Sequence, residues 1–428
     1  MTLNDRMTLN DGFDRTVSRW LDEEAGHVAP DYLGDVLART ARTRQRPAWS
    51  SFERWLPVQA TMRLIPVPRL AWMLLIVLAL LAAIGIALVA VGSRPHLPAP
   101  FGPARNGALV YGANGDIHTL DLTTGDVSLL VGGPEIDAGP WFARDGSRFF
   151  FVRVTSQQPE TIALMVADAD GSSIRTVVEP EIVGDRHWLE WSPNGDMLVI
   201  LNSAEGVPQL SIVNVNGEPQ RGAINVPLEI HMADWRPGAD ELIFIGRERD
   251  ATSTALGFYA VGIDGTGLRE LVPPPGSGTH SGPFSLSHDG RFLAYTSVNA
   301  TGHVSSHILD LDSGEARTLG GWFNQAWATF SPDGERIALV RYPATGATAQ
   351  AFIGSSGGDG TDAVAIGPEV RNQPGTPGLR IQFSPDGTKL LIVHAAGAEA
   401  WVADVATGEY ESVALGDEEW VSWQRLAR

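Results

Sequence analysis

The sequence predicts an all-β fold, a β-propeller, preceded by one transmembrane helix and a short α-helical N-terminal segment. Three observations predict it. A turn phrase recurs at blade-length spacing through residues 105–428, residues 70–92 run without a charge, and the 428-residue chain holds 47 Gly and 28 Pro, which implies many turns between short strands. The chain contains no cysteine, so disulfides, thiolate metal sites and cysteine nucleophiles are excluded and packing alone must stabilise the fold. The net charge of −19 is unevenly placed: residues 1–94 carry 11 Lys+Arg against 9 Asp+Glu, and the remainder carries 20 against 41. That acidic excess argues against a nucleic-acid partner, which would need a basic stripe to displace counterions from phosphate.

Residues 1–69 read as a cytoplasmic helical segment. The opening MTLNDRMTLNDG repeats itself, leaving Met1 or Met7 as the start. FDRTVSRWLDEEAG places Phe13, Val17, Trp20 and Leu21 at helical spacing, and APDYLGDVLARTARTR does the same with Leu33, Val36 and Leu37. Two such short helices make a marginal core, so residues 13–45 are expected to be steadier against a cytoplasmic protein partner or a second copy. Trp49, Phe52 and Trp55 then stand among arginines, which suits either the anionic inner leaflet or protein docking.

Residues 70–92, LAWMLLIVLALLAAIGIALVAVG, are long enough to cross a bilayer core as helix, for which about 20 residues suffice. About 69 residues precede the run, which disfavours a cleaved signal peptide and favours an uncleaved anchor in the lipid bilayer. Arg39, Arg42, Arg44, Arg46, Arg54, Arg63 and Arg69 precede it while Arg94 and Arg105 follow, so the positive-inside rule places the N-terminus in the cytoplasm and the acidic part outside the cell membrane. Residues 93–104, including RPHLPAPFGP, form a Pro-rich linker expected to run extended and hold the outer domain off the lipid.

Residues 105–428 carry the repeat. Its copies are WFARDGSRFFFV, WSPNGDMLVI, WRPGADELIFI, LSHDGRFLAY, FSPDGERIALV and FSPDGTKLLIV, with a degenerate seventh, WVSWQRLAR. The turn glycine or its equivalent falls at 146, 195, 239, 290, 334 and 387, a spacing of 44 to 53 residues that matches a four-stranded blade. The phrase is a hairpin, with Asp capping the turn and Gly supplying positive φ between runs of period two. Three and five residues on come Phe149/Phe151, Leu198/Ile200, Leu242/Phe244, Leu293/Tyr295, Ile337/Leu339 and Leu390/Ile392, expected in the layer between blades. WRPGAD reads as carrying one extra residue. A second strand per unit ends at a turn where Asp121, Asp168, Asn214, Asp310 and Asp404 align, with Gly262 and Gly354 in two units, a pattern better suited to a structural Asx-turn than to calcium. Seven blades follow if WVSWQRL completes the first unit and closes the ring; six or eight are the alternatives.

The Ser-Pro-Asp-Gly phrases and repeat length resemble the TolB-like, WD40-like propeller repeats of bacterial envelope proteins. The resemblance covers residues 105–428 and implies a fold rather than an activity, because such propellers serve as binding modules, scaffolds and gates on hydrolases. His288 in LSHDG and Arg144 in FARDG depart from its proline. The whole architecture also resembles transmembrane anti-sigma regulators, without the His/Cys zinc motif many of those carry.

No motif points to catalysis, and no cofactor is expected. Gly354-Ser355-Ser356-Gly357-Gly358 matches a nucleophile-elbow pattern, but no helix is predicted after it, so a Gly/Ser turn is the reading. His27, His118, His187, His231, His280, His288, His303, His307 and His394 show no metal-binding spacing; His303 and His307, four apart on a predicted strand, do not converge. Asn299-Ala300-Thr301 is a glycosylation sequon by pattern and reads as a surface loop. The irregular stretches 271–283 and 342–378 are the places expected to bind a protein, peptide or glycan. Function is expected to be that of a membrane-anchored extracytoplasmic binding or sensing module, with a non-signalling envelope scaffold or a channel enzyme as alternatives.

Overall fold

The computed structural model describes residues 76–80 and 99–428, apart from 158–159, 183–187, 205–206, 217–221, 250, 321–324, 343–346, 372–377, 395–398 and 417–419. Among these residues, twenty-eight strands form seven four-stranded sheets. Blade 1 takes β1 (Arg105–Ala113), β2 (Asp116–Leu120) and β3 (Val127–Val131). Blade 2 is β4 (Ile136–Phe142), β5 (Arg148–Gln157), β6 (Glu160–Asp168) and β7 (Arg175–Ile182). Blade 3 is β8 (Trp188–Trp191), β9 (Met197–Ala204), β10 (Val207–Asn214) and β11 (Gly222–Ile224), and blade 4 is β12 (Leu228–Trp235), β13 (Glu241–Glu248), β14 (Gly257–Gly262) and β15 (Arg269–Val272). Blade 5 is β16 (Thr279–Leu286), β17 (Phe292–Val298), β18 (Val304–Asp310) and β19 (Ala316–Thr318). Blade 6 is β20 (Gln325–Phe330), β21 (Arg336–Arg341), β22 (Thr348–Ser355) and β23 (Val364–Arg371). Blade 7 is β24 (Leu379–Phe383), β25 (Lys389–His394), β26 (Glu399–Asp404) and β27 (Tyr410–Ala414). The last strand, β28 (Val421–Leu426), pairs antiparallel with β1 and completes blade 1.

This closure is the one the sequence predicts, and it settles the blade number at seven. It has a physical reason. An open ring would leave the edge of β1 unpaired, whereas a strand from the opposite chain end seals it with Leu109 opposite Trp423 and Tyr111 opposite Val421.

The core is divided into seven apolar layers, one per blade interface. Phe149 and Phe151 of blade 2 pack with Val110 and Ile117 of blade 1; Leu390 and Ile392 of blade 7 pack with Ala338 and Val340 of blade 6. All six predicted pairs are buried in such layers. Each fully buried side chain of this kind is worth roughly 1.5–3 kcal/mol, so neighbouring blades stabilise one another and no blade is stable by itself.

The turn phrase works through its serine and its acid. Ser192 Oγ donates to Asn194 Oδ1 (2.8 Å) and accepts from Met197 N (2.9 Å), and Ser384 Oγ repeats this with Asp386 (2.7 Å) and Lys389 N (3.0 Å). WRPGAD corrects the reading of an extra residue: Trp235 pairs with Leu242 as Phe330 pairs with Ile337, so the loop length is unchanged. What differs is where the chain turns left-handed, at Gly238 (φ 74°) instead of the following position, which Ala239 occupies.

Asx-turns at the second-strand ends are formed by Asp121, Asn214, Asp310 and Asp404, each accepting a backbone N–H two residues on. In two further units the bond moves two residues along the chain, to Asp170 with Ser172 N and Asp264 with Thr266 N.

Two other expectations meet the structure differently. Among the described residues no helix is long and apolar enough to cross a membrane; of residues 70–92 only 76–80 are described, helical and with exposed apolar side chains such as Ile76 and Leu78. The segment's remainder, the helices expected in residues 13–45 and the rest of 1–69 lie outside the described residues. The Pro-rich linker is not a free spacer along its whole length: from Ala99 onward it lies on the propeller, with Ala104 N donating to Pro385 O at 2.8 Å.

Candidate functional site: the central channel

One edge strand of each sheet, β28, β4, β8, β12, β16, β20 or β24, stands at the axis, with β28 against β4, β8 against β12, β16 against β20 and β20 against β24. These strands carry the aromatic of the turn phrase, or Leu286 in blade 5, in an inter-blade layer. By strand alternation the preceding residue lies on the other face. That column reads Trp141, Glu190, Asp234, Ser285, Thr329, Gln382 and Ser422. Two of its serines serve as rungs between blades: Ser422 Oγ accepts from Phe142 N (3.1 Å) and Ser285 Oγ accepts from Phe330 N (3.4 Å). Trp141 contributes its carbonyl to Trp191 Nε1 (3.0 Å).

On blades 3 and 4 the column is acidic, and there an arginine crosses between blades. Arg144 stands in the turn of blade 2, where most copies of the phrase have proline. Its Nη2 reaches Asp234 Oδ1 at 2.9 Å and Glu190 Oε1 at 3.3 Å. The side chains are 26%, 18% and 13% exposed for Arg144, Asp234 and Glu190, so this three-blade cluster is largely withdrawn from water. Burial pushes the Glu190 carboxyl up to about 8, against the pull of Arg144 and with the help of the Asp234 charge. Burial raises Asp234 as well, while Arg144 draws it back. For Arg144, burial works against the charged form, but the two carboxylates outweigh it and the guanidinium stays charged.

Next to this cluster stands Arg425 on β28, in the matching turn position of blade 1. Burial and the neighbouring Arg144 charge bring it down to about 10. The Nε atoms of both arginines and the Oε1 of Gln382 are buried without a hydrogen-bond partner. Elsewhere on the inner strands Trp141 meets Trp420 edge-on with ring centroids 6.3 Å apart, and the Arg380 guanidinium lies 4.0 Å over the Trp420 ring. The axis is therefore lined by mixed charge, amide and indole, a combination that recognises polar ligands by hydrogen bonds and by stacking.

On β4, Asp137 is 1% exposed and takes a two-pronged contact from Arg153 of β5, Nε to Oδ1 at 2.7 Å and Nη2 to Oδ2 at 2.8 Å. This pair ties β4 to β5 and is structural.

The sites considered from sequence fall elsewhere. Gly354 to Gly358 end β22 and lead into β23, its antiparallel neighbour; Ser355 N donates to Asp362 Oδ2 and Ser356 Oγ donates to Gly334 O. His303 and His307 have separate partners, Thr301 for the first and Ser297 and Thr318 for the second, and burial lowers His307 to about 4. Asn299 sits in the exposed turn between β17 and β18, its Oδ1 accepting from Thr301 N and His303 N. The 271–283 stretch holds the end of β15, the loop 273–278 and the start of β16, where buried His280 meets Pro273 O at 3.1 Å. Much of 342–378 is the eight-residue hairpin strands β22 and β23. Among the described residues no three His, Asp or Glu side chains converge as a metal ion requires.

The Glu190, Asp234 and Arg144 cluster was the feature sequence reading missed. Its signal lies in one column: the residue before the aromatic is acidic only in WLEWSPNG and MADWRPG, and the arginine that answers both is the one that breaks the proline in FARDG.

No family profile matches the chain, and no curated protein matches it in sequence. Solved structures match it in fold. An oligogalacturonate lyase in complex with manganese is 16% identical, with a TM-score of 0.51 over 70% of this chain and 82% of that one. A structure from an analysis of two prolyl endopeptidases is 12% identical, with a TM-score of 0.54 over 77% of this chain and 51% of that one. TolB from Acinetobacter baumannii is 15% identical, with a TM-score of 0.45 over 76% of this chain and 81% of that one. At these identities the likeness is one of fold.

Proposed function

We propose that the chain is a membrane-anchored binding or sensing module: an extracytoplasmic propeller that takes a protein, peptide or glycan at its channel, held to the bilayer by residues 70–92. The observation that carries the binding role is the channel itself. A rigid ring of seven blades presents indole, amide and charged groups from several inner strands toward one axis, and the two acids among them are both held by Arg144. The anchor is supported by the charge-free run 70–92 and the arginines before it. Residues 13–45 would dock a cytoplasmic protein, and the arrangement is anti-sigma-like by analogy alone.

A second reading is a channel enzyme, and one observation favours it: a carboxyl held protonated near neutral pH beside another carboxylate is a pattern of acid–base sites. Against it, the arginine lies between the two acids, where a substrate would have to be. Affinity capture of the tagged full chain from membranes, beside a chain lacking residues 1–63, tests the reading. A cytoplasmic partner lost with the truncation supports relay. The same envelope partners with both chains would leave a tethered receptor or scaffold and remove the relay, and recovery of the full chain in the soluble fraction would remove the anchor.

A further inference from the structure

The contacts of residues 99–104 all fall at the turn end of the inner strands. Arg425 Nη2 of blade 1 donates to the carbonyls of Ala99 (2.9 Å) and Gly102 (2.7 Å). The Arg144 guanidinium of blade 2 stands 4.9 Å from the Phe101 ring centroid, and Pro385 of blade 7 accepts from Ala104 N. Gly102, at φ 80°, comes close to His288 in the turn of blade 5: a Cβ built there would lie 3.9 Å from His288 Cδ2. In a ring of seven, blade 5 stands across the axis from blades 1 and 2. A segment that touches all of them must cross the channel. Its hold is nonetheless light, because its anchors are one arginine's bonds to two carbonyls, one backbone bond and one ring contact, and the ladder pairing of β1 begins only at Arg105.

We propose that residues 99–104 are a latch: a strap across the turn-side mouth of the channel that can leave it while the blades stay folded. Arg144 is the shared part. It holds Phe101 on one side and Glu190 and Asp234 on the other, so whatever engages those carboxylates from within the channel competes with the strap's hold, and a pull on the preceding segment opens the mouth. The buried, unpartnered Nε atoms of Arg144 and Arg425 beneath the strap fit a closure that is easily undone. The inference goes beyond the binding role and does not depend on which ligand the channel takes.

The absence of cysteine in the chain permits a clean test. Ala104→Cys places a thiol within the strap, at a position 2% exposed, and Ala338→Cys places one in the layer between blades 6 and 7, at 0% exposed. Maleimide labelling rates are measured on the purified full chain under native conditions. With Arg425→Gln added, the latch predicts labelling at 104 at least tenfold faster and labelling at 338 unchanged. Phe101→Ala, which alters the strap alone, is expected to act in the same direction and covers the case of an Arg425 variant that does not fold. Equal rates at 104 in all backgrounds, or parallel acceleration at 104 and 338, would overturn the proposal, since the strap would then move only with the whole fold.

Discussion

Replacing Glu190 with glutamine should change how the propeller responds to pH more than it changes the fold. In the folded chain burial keeps the Glu190 carboxyl protonated up to about 8, while unfolding returns it to its ordinary value of 4.5. Between those values the folded state binds a proton that the unfolded state has released. Stability from this site is therefore fully present below about pH 4.5 and is lost as pH rises toward 8, with a slope of about 1.4 kcal/mol per pH unit for one proton. Because Asp234 lies in the same cluster and is also raised, the slope belongs to the pair. Across the window the loss is on the order of 3–5 kcal/mol, and at about 2 °C per kcal/mol for a domain of this size it should lower the Tm by several degrees. Glu190→Gln keeps the shape, leaves Arg144 its shorter contact with Asp234 and takes one titrating group away. Thermal unfolding followed by circular dichroism from pH 5 to 8.5 should show a flatter profile for the variant and a higher Tm than the parent at the alkaline end. A variant with the parent's slope, or one less stable than the parent at pH 8.5, would refute the electrostatic account of the cluster.

Other consequences follow from the packing. Arg153→Met strands a buried Asp137 and should destabilise by roughly 3–5 kcal/mol, with most of that regained in the double variant Asp137→Leu/Arg153→Met; denaturant midpoints of the three chains check it. Trp423→Ala removes a 4%-exposed indole from the layer that closes the ring and should lower stability by about 3–5 kcal/mol; an unfolding midpoint equal to the parent's would show that β28 does not seal blade 1. Gly146→Ala and Gly125→Ala form a controlled pair, since both glycines have positive φ but a Cβ at 146 would overlap Arg425 O and one at 125 would meet nothing. The first should unfold the chain or cut its yield, and the second should cost only about 1 kcal/mol.

Much of the fold was legible because the repeat writes its own geometry. The hairpin chemistry of Ser-Pro-Asp-Gly located the first turn of each blade, and the apolar residues three and five positions on, such as Phe149 and Phe151, could only face a neighbour once period two was granted. Closure by WVSWQRL was legible for the same reason, since a ring with an unpaired first blade has an exposed edge. The turn at WRPGAD suggests an extra residue because its glycine stands one position earlier than in the other copies, while the backbone needs one left-handed residue in the turn and Gly238 supplies it there. The channel cluster was hidden for a different cause. Arg144, Glu190 and Asp234 lie 46 and 44 residues apart in sequence, and only the circular arrangement of blades brings them within hydrogen-bonding distance. A departure from a repeat, such as arginine for proline in FARDG, is a better pointer to function than the repeat itself, because the repeat is spent on folding.

The binding role of the channel is tested most directly by site-specific photocrosslinking in cells, with a photoreactive amino acid at Trp420 on the channel side and at Leu129 on the outer strand of blade 1, positions 39% and 61% exposed. The account predicts adducts to a discrete partner from position 420 and none of that partner from position 129. Adducts confined to 129 would contradict it, placing recognition on the outer edge of the blades and leaving the channel a structural axis.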